Sequence, residues 1–456
     1  MKPKQEILDR TLYNKNFLSL AGNGSSAVFG LINFALLART FNSSVFGEWI
    51  VYLATAGFIE MFRFGLTNSA LVRFLSGADT EEKQKLIGSN YAIGIVITLG
   101  IVVILYLTYF IFRNPIVNSP YKLFFIWYPI LAIVNLPFNN AITILQAEER
   151  FLEIFYIRLL NVSSFSVFLC LNYFLNWDTS LDTVILVHLV LNLLVSVGCI
   201  LKKWDGIAYL GHTDKHSLKT LLNFGKFTTL TLVGSNLLRS ADTFIISISP
   251  LGSKAVAMYA IPLKLTEMLQ IPLRSFAAAA YPRLSRASIK NELGKFKWYF
   301  YSYTGGMTLL FIPIILVGFV FADIFVLILG GREYLNPELI PGQSTVLLFK
   351  IFVLYGIMLP LDRMTGVALN SMNKPEKDFY KVLVMVVANI IGDLIAIFIF
   401  KSLIGVALAT WLFTFIGMVL GYHFVDREIN LKFSMIFKIG WASIIHYFCR
   451  KPLDNE

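Results

Sequence analysis

Apolar residues in this chain gather into blocks of roughly 18–25, separated by short polar breaks, which is the length a helix needs to cross a hydrocarbon core about 30 Å thick. Six such blocks lie near 17–39, 46–66, 88–112, 121–146, 152–176 and 181–201. Six more lie near 224–248, 255–281, 298–320, 343–369, 379–400 and 403–425. The pattern predicts an all-α polytopic membrane protein with about twelve spans. Beyond them, Leu431–Phe448 mixes Lys432, Lys438 and His446 with Phe433, Ile436, Phe437 and Trp441. That mixture predicts a helix lying at the membrane interface.

The two sets of six resemble each other. Shifting the chain by 210 residues lays Phe17 on Phe227, Gly24 on Gly234, Phe34 on Phe244, Trp49 on Tyr259 and Arg73 on Arg283. A slightly larger shift pairs the exit of the fourth span, Gln146-Ala147-Glu148-Glu149-Arg150, with that of the tenth, Asn370-Ser371-Met372-Asn373-Lys374. Two pseudo-symmetric six-helix bundles are therefore expected, over 1–205 and 206–426, with a cytoplasmic or interfacial tail over 427–456. An even number of spans per repeat gives both halves one orientation, as in parallel transporter repeats.

Composition agrees. Of 456 residues, 56% are hydrophobic and 15% charged, against about 25% charged in soluble domains. Basic residues collect on alternate loops, among them Lys83, Lys85, Arg150, Lys202, Lys203, Lys215, Arg283, Arg286, Lys374 and Lys377. By the positive-inside rule both termini face the cytoplasm. The net charge of +11 then reads as orientation signal and attraction to anionic lipid, not as nucleic-acid binding. The three cysteines show no repeated spacing, so neither a disulfide framework nor a metal site is expected. The polar, basic first residues show no short apolar core with a cleavage site, so no removable leader is expected and the first span is expected to serve as the targeting signal.

Charges inside such spans are costly unless they face protein or water, so they mark candidate sites. Arg239 and Asp242 lie three apart, as do Glu60 and Arg63, and Lys264 and Glu267, with Arg274 one heptad further. Residues at that spacing share a helix face and can neutralise each other. One reading is a polar, net basic cavity between the halves that binds an anionic group. Its candidate residues are Arg239, Lys264, Arg274, Arg63, Arg158, Asn139 and Arg363, with Asp242, Glu267, Glu60 and Asp393 as candidate ion-coupling carboxylates. The competing reading is ion pairing that only pins helices together. Asp393 has no basic residue within one turn, which favours a functional role for it.

Three other features point to chemistry less convincingly. Gly22-Asn23-Gly24-Ser25-Ser26-Ala27 matches a dinucleotide-binding pattern, but no strand precedes it and small residues in a span serve close packing. His212, Asp214 and His216 lie in a basic linker and read as a solvated loop, and His188 reads as a packing histidine. No metalloprotease helix, phosphate-binding Lys loop or nucleophile elbow is present, so a non-enzyme without cofactors is expected.

The segments Phe46-Gly47 to Gly65-Leu66, Ala70-Leu71-Val72-Arg73, Gly225-Lys226 with Asp242, and Ala257 through Tyr259, Lys264 and Pro272 to Tyr281-Pro282 carry a family likeness. With the exit Gln146-Ala147-Glu148, they resemble the Wzx-type polysaccharide flippases of the multidrug, oligosaccharidyl-lipid and polysaccharide exporter superfamily. The resemblance implies twelve spans in two lobes and a central, often cationic cavity in a cytoplasmic membrane. It also implies an undecaprenyl-pyrophosphate-linked oligosaccharide as cargo, for O-antigen, capsule or exopolysaccharide assembly. Proton or sodium coupling and a polysaccharide polymerase partner are further expectations. The alternatives are a cation-coupled multidrug extruder, which predicts an acid-dominated cavity, and a membrane glycan polymerase or glycosyltransferase, which predicts a large periplasmic loop or a re-entrant carboxylate.

Overall fold

The computed structural model describes residues 15–75, 77–336 and 339–449. The basic residues Lys2, Lys4 and Arg10 and the end of the tail lie outside them. Among the described residues every regular element is helical. In the first repeat these are α1 (Lys15–Thr40), α2 (Ser43–Gly65), α3 (Asn68–Leu75), α4 (Thr80–Ile111), α5 (Arg113–Val117), α6 (Lys122–Val134), α7 (Leu136–Ala147), α8 (Phe151–Phe174) and α9 (Leu181–Leu201). A 3-10 turn, Ile207–His212, leads to the second. There follow α10 (Lys215–Ser247), α11 (Gly252–Glu267), α12 (Gln270–Ile289), α13 (Leu293–Val320), α14 (Ala322–Gly330), α15 (Thr345–Tyr355), α16 (Leu359–Ser371), α17 (Pro375–Leu394), α18 (Leu403–Ile429) and α19 (Phe433–Cys449).

Seven helices are long and apolar enough to cross a membrane, or nine if each of two bent pairs makes one span. The stretches that fall short of that test include α10 and the α11–α12 pair, which carry half of the charged candidate residues. The chain divides by packing into two compact units, Met1–Ser240 and Ala241–Glu456.

The repeat is written into the backbone. Glu149 and Asn373, Asn176 and Lys401, and Lys203 and Asn430 all take a left-handed φ of 49–57°. Each pair lies 224–227 residues apart, at matching helix ends. Each repeat also holds a bent helix pair: α6 and α7 meet at 48°, and α15 and α16 at 43°. Pro137 and Pro360 stand in the first turn after each break, where a missing N–H is harmless but the preceding helix cannot continue through it.

A break inside a membrane frees carbonyls that lipid cannot satisfy. In the first unit, side chains supply the partners. Arg63 of α2 donates to the carbonyl of Ala132, and Ser196 of α9 to that of Val134, each at 2.5 Å.

Lipid is as apolar as leucine, so these helices associate through close packing and not through hydrophobic burial. Gly305 of α13 and Gly440 of α19 show how close. A Cβ on Gly305 would lie 1.8 Å from the carbonyl oxygen of Ile436, and one on Gly440 would lie 2.4 Å from the Gly305 carbonyl carbon. Ser302 and Ser443 add a hydrogen bond of 2.7 Å, and the amide of Lys432 donates to the Tyr301 hydroxyl. The tail helix is thus seated on the second unit. At 17 residues it spans about 25 Å, short of a full crossing.

The linker that reads as a solvated loop is also seated. A Cβ on Gly88 of α4 would collide with the carbonyl of Tyr209, and Ser89 exchanges hydrogen bonds with the backbone of Asp214. Asp214 in turn caps α10, accepting from the amides of His216 and Ser217 and from the Ser217 hydroxyl at 2.6 Å. These bonds hold its carboxyl below the usual range, the Ser217 hydroxyl most of all.

Candidate functional site

The most concentrated polar chemistry lies in the second unit, where α10, α11, α17 and α18 converge. Asp242 and Asp393 are 6% and 0% exposed, and Asn389, between them, is fully buried. Its Nδ2 stands 3.2 Å from Asp242 Oδ1 and 3.2 Å from Asp393 Oδ2, so one amide bridges two carboxylates. Tyr259 of α11 donates through its hydroxyl to Asp242 Oδ2, and Thr410 of α18 donates to the same oxygen at 3.4 Å.

Helical spacing explains this convergence. Asn389 and Asp393 are four apart on α17 and share a face. Phe352 of α15 meets the Tyr259 ring edge-on with centroids at 5.3 Å and holds it against the pair.

Two acids inside a bundle repel and must be compensated. Among the described residues no lysine or arginine pairs with either acid. Asp393 Oδ1 and Asn389 Oδ1 are buried without a hydrogen-bond partner. The ligand atoms on offer are hard oxygens: two carboxylates, an amide and a hydroxyl. They fit a hard cation and not a soft, thiolate-seeking metal. Among the described residues no group of three or more His, Cys, Asp and Glu gathers in a way that could hold a metal ion.

The other candidates fall elsewhere. Glu60 and Arg63 form an ion pair of 2.5 Å in the first unit, and the Tyr128 hydroxyl donates to the same Glu60 oxygen at 2.8 Å. Arg63 is 1% exposed, with its guanidinium 4.4 Å from the Phe64 ring centroid. Lys264 and Glu267 form a half-buried pair at 3.1 Å. Arg158 is half-buried, while Arg274 and Arg363 are exposed. The Asn139 amide is spent on its own helix, donating to the Asn135 carbonyl at 2.9 Å. The side chain of Arg239 lies outside the described residues, so the expected Arg239–Asp242 pair is not on view; the described partners of Asp242 are Tyr259, Asn389 and Thr410.

Three members of the acid cluster, Tyr259, Asn389 and Thr410, were not singled out as site residues from sequence. The Asn389–Asp393 spacing was a usable signal for one of them. Lys381 was missed too: at 3% exposure it donates to the carboxylate of Asp362 at 3.0 Å and to its carbonyl at 3.1 Å.

Two bent helix pairs, a recurring set of left-handed helix ends and buried intramembrane carboxylates define a polytopic helical membrane protein with an internal repeat. A family model described as "Polysaccharide biosynthesis protein" matches residues 12–288, well over half of the chain, and the chain belongs to that family. A second model, MatE, matches residues 228–395. Among curated proteins the chain is similar to the probable low-salt glycan biosynthesis flippase Agl15 of Haloferax volcanii, 25% identical over 228 residues. That match takes in 50% of this chain and 46% of the relative, so the chain spans about half the length of the curated protein it matches.

Among solved structures, the lipid II flippase MurJ in an inward closed conformation superposes with a TM-score of 0.70 at 19% identity, covering 96% of this chain and 94% of that one. An inward-facing multidrug resistance MATE transporter gives 0.67 at 13% identity, covering 92% and 96%. A MOP superfamily transporter from Pyrococcus furiosus gives 0.60 at 14% identity, covering 91% and 94%. These likenesses show a shared fold.

Proposed function

We propose that the protein is a flippase that carries a lipid-linked oligosaccharide across the cytoplasmic membrane, coupled to a sodium gradient through Asp242 and Asp393. The cargo is an undecaprenyl-pyrophosphate-linked glycan destined for surface polysaccharide, and both termini face the cytoplasm. The observation that carries the coupling is the buried acid pair bridged by Asn389, with two unpartnered oxygens beside it. In low dielectric such a pair binds a cation strongly, and differential cation affinity between two conformations is what moves their equilibrium. Asp242, Asp393, Asn389 and Thr410 would hold the ion. A bound ion supplies the positive charge that lets both carboxylates remain ionised together.

The glycan cargo is supported by the family match over 12–288 and by the likeness to a glycan flippase. Half-buried cations such as Lys264 and Arg158 suit a pyrophosphate, which a bare hydrocarbon core would reject. Handover of the flipped glycan to a polysaccharide polymerase is part of this reading.

Purified protein in liposomes loaded with a fluorescent lipid-linked oligosaccharide tests it. Flipping is expected to accelerate with an imposed sodium gradient, and Asp393→Asn to abolish that acceleration. Export of cationic drugs with no effect on glycan lipid would overturn the cargo assignment in favour of a multidrug extruder. A gradient response that follows protons alone would overturn sodium.

A further inference from the structure

A buried lysine in the second unit has two carboxylates within reach. Lys381 of α17 is 3% exposed. Its Nζ donates to Asp362 Oδ1 of α16 at 3.0 Å and to the Asp362 carbonyl at 3.1 Å. Asp378 Oδ1, one turn back on α17 itself, stands 3.6 Å away. Glycines make the room for this group. A Cβ on Gly366 of α16 would come within 2.8 Å of Asp378 Oδ1, and one on Gly421 of α18 within 3.1 Å of Lys381 Cδ.

The first unit builds the corresponding junction without these charges. The left-handed pair Glu149 and Asn373 sets an offset of 224 just before α17, which lays Asp378 on Ile154 and Lys381 on Ile157. Both isoleucines are buried in an apolar cluster with Ala141, Leu145 and Cys199. The prolines after the two breaks, Pro137 and Pro360, are 223 apart and lay Asp362 on Asn139, whose amide is spent on its own helix. An apolar contact therefore suffices to pack these elements. A buried ion pair seldom adds stability over such a contact, so charges kept here point to a choice between two arrangements.

The geometry supplies both arrangements. α16 and α17 are joined at Met372–Lys374, where Asn373 takes a left-handed φ of 57°. Asn370, beside that turn, donates to Asp378 Oδ2 at 2.8 Å. Asp362 lies about 12 Å further along α16, in the first turn after the 43° bend. A movement of α16 that pivots at the turn would part Asp362 from Lys381. Asp378, carried on the lysine's own helix, would stay within reach. The ammonium then never stands buried and unpaired, which is the costly state.

We infer that Lys381 is a two-position clasp. Held by Asp362, it fixes α16 against α17 and sets the bend of the pair; passed to Asp378, it releases α16. Asp362 is the closing partner and Asp378 the resting one. The clasp depends on neither the cargo nor the coupling ion proposed above.

Pulsed electron paramagnetic resonance on the full chain in detergent, with neither cargo nor sodium present, tests the clasp. Spin labels sit at Ile357→Cys in the bend and Leu383→Cys on α17, both exposed positions, with the three native cysteines changed to alanine. Asp362→Asn is expected to lengthen the separation, because Asp378 then keeps the ammonium. Asp378→Asn is expected to leave it as it was or shorten it, because an opened lysine would have no opposite charge to meet. A fixed ion triad predicts that both amides loosen α16. Lengthening by both substitutions, or by neither, therefore overturns the clasp. Should Asp378→Asn not fold, Asp378→Ser asks the same question with a side chain that still clears Gly366. A chain that folds only with both carboxylates present uses them to hold the fold, and the clasp fails.

Discussion

The guanidinium of Arg63 donates to the backbone carbonyl of Ala132 at 2.5 Å, reaching from α2 to the last turn of α6. That carbonyl lies just before the 48° break between α6 and α7. The same side chain is held by Glu60, which also accepts from Tyr128 of α6. Arg63 therefore acts on a broken helix, where sequence alone suggested a cargo-facing cation. Arg63→Met would leave the partly buried Glu60 with only the Tyr128 hydroxyl and no opposite charge. Breaking a fully buried pair costs about 3–5 kcal/mol, so a loss somewhat below that is expected. Thermal unfolding in detergent should show that loss, and the double change Glu60→Gln with Arg63→Met should recover part of it. Arg63→Lys should fall between, since an ammonium does not reproduce the planar fork that reaches Glu60 and Ala132 together.

Tyr259 is the only aromatic donor on the acid pair among the described residues. Tyr259→Phe keeps its ring against Phe352 and removes only the hydroxyl, leaving Asp242 Oδ2 with Thr410. A buried acceptor deprived of a donor costs about 1–3 kcal/mol. The melting temperature of the sodium-free protein should therefore drop. Sodium should restore more of it than in the unaltered chain, because the ion replaces the lost donor. An equal drop at every sodium concentration would show that Tyr259 serves packing alone.

The division between what hydropathy reveals and what it conceals follows from this. Helices such as α8 and α9 fall within a few residues of the apolar runs that announced them, because lipid demands a continuous hydrogen-bonded helix of set length. The breaks were partly visible in Pro137 and Pro360. The acid site was half visible. Asp242 and Asp393 stand out as charges in apolar runs, whereas Tyr259 and Thr410 look like any polar residue in a helix, and only packing brings them together. Arg274 and Arg363 carried the same sequence signal as Arg63 but are exposed, since a charge in a span does not say which way its helix face turns.

Asp205, in the linker between repeats, carries a pH prediction. It is 1% exposed, beside the Tyr91 hydroxyl and the amides of Gly206 and Ile207, yet neither carboxylate oxygen makes a well-formed hydrogen bond. Burial raises its carboxyl above the ordinary 3.8, and the neighbouring amides offset only part of that rise. A group whose folded value is raised contributes stability while protonated and loses it as pH climbs from the ordinary value through the raised one. Asp205→Asn should thus flatten the pH dependence of unfolding over that interval and raise stability at neutral pH. Amide hydrogen exchange at Tyr209–Thr213 should slow in the variant at neutral pH and match the unaltered chain below pH 4.

The seating of α19 is the most severe steric constraint among these predictions, because backbone meets backbone at Gly305 and Gly440. A methyl group on either would fall 1.8–2.4 Å from main-chain atoms of the other helix, which no rotamer change can relieve. Gly305→Ala must push α19 outward and lose the Ser302–Ser443 hydrogen bond, and overpacking of this kind typically costs about 1–3 kcal/mol. Gly306, one residue on, has open space around its missing Cβ and provides the control. Limited proteolysis should release the tail of Gly305→Ala and spare that of Gly306→Ala. A cysteine introduced at Ser443 should react with a bulky maleimide only in the former. If both glycine variants resist protease equally, the tail helix is held by its apolar face on the bundle, through Ile436 and its neighbours, and not by the glycine contact.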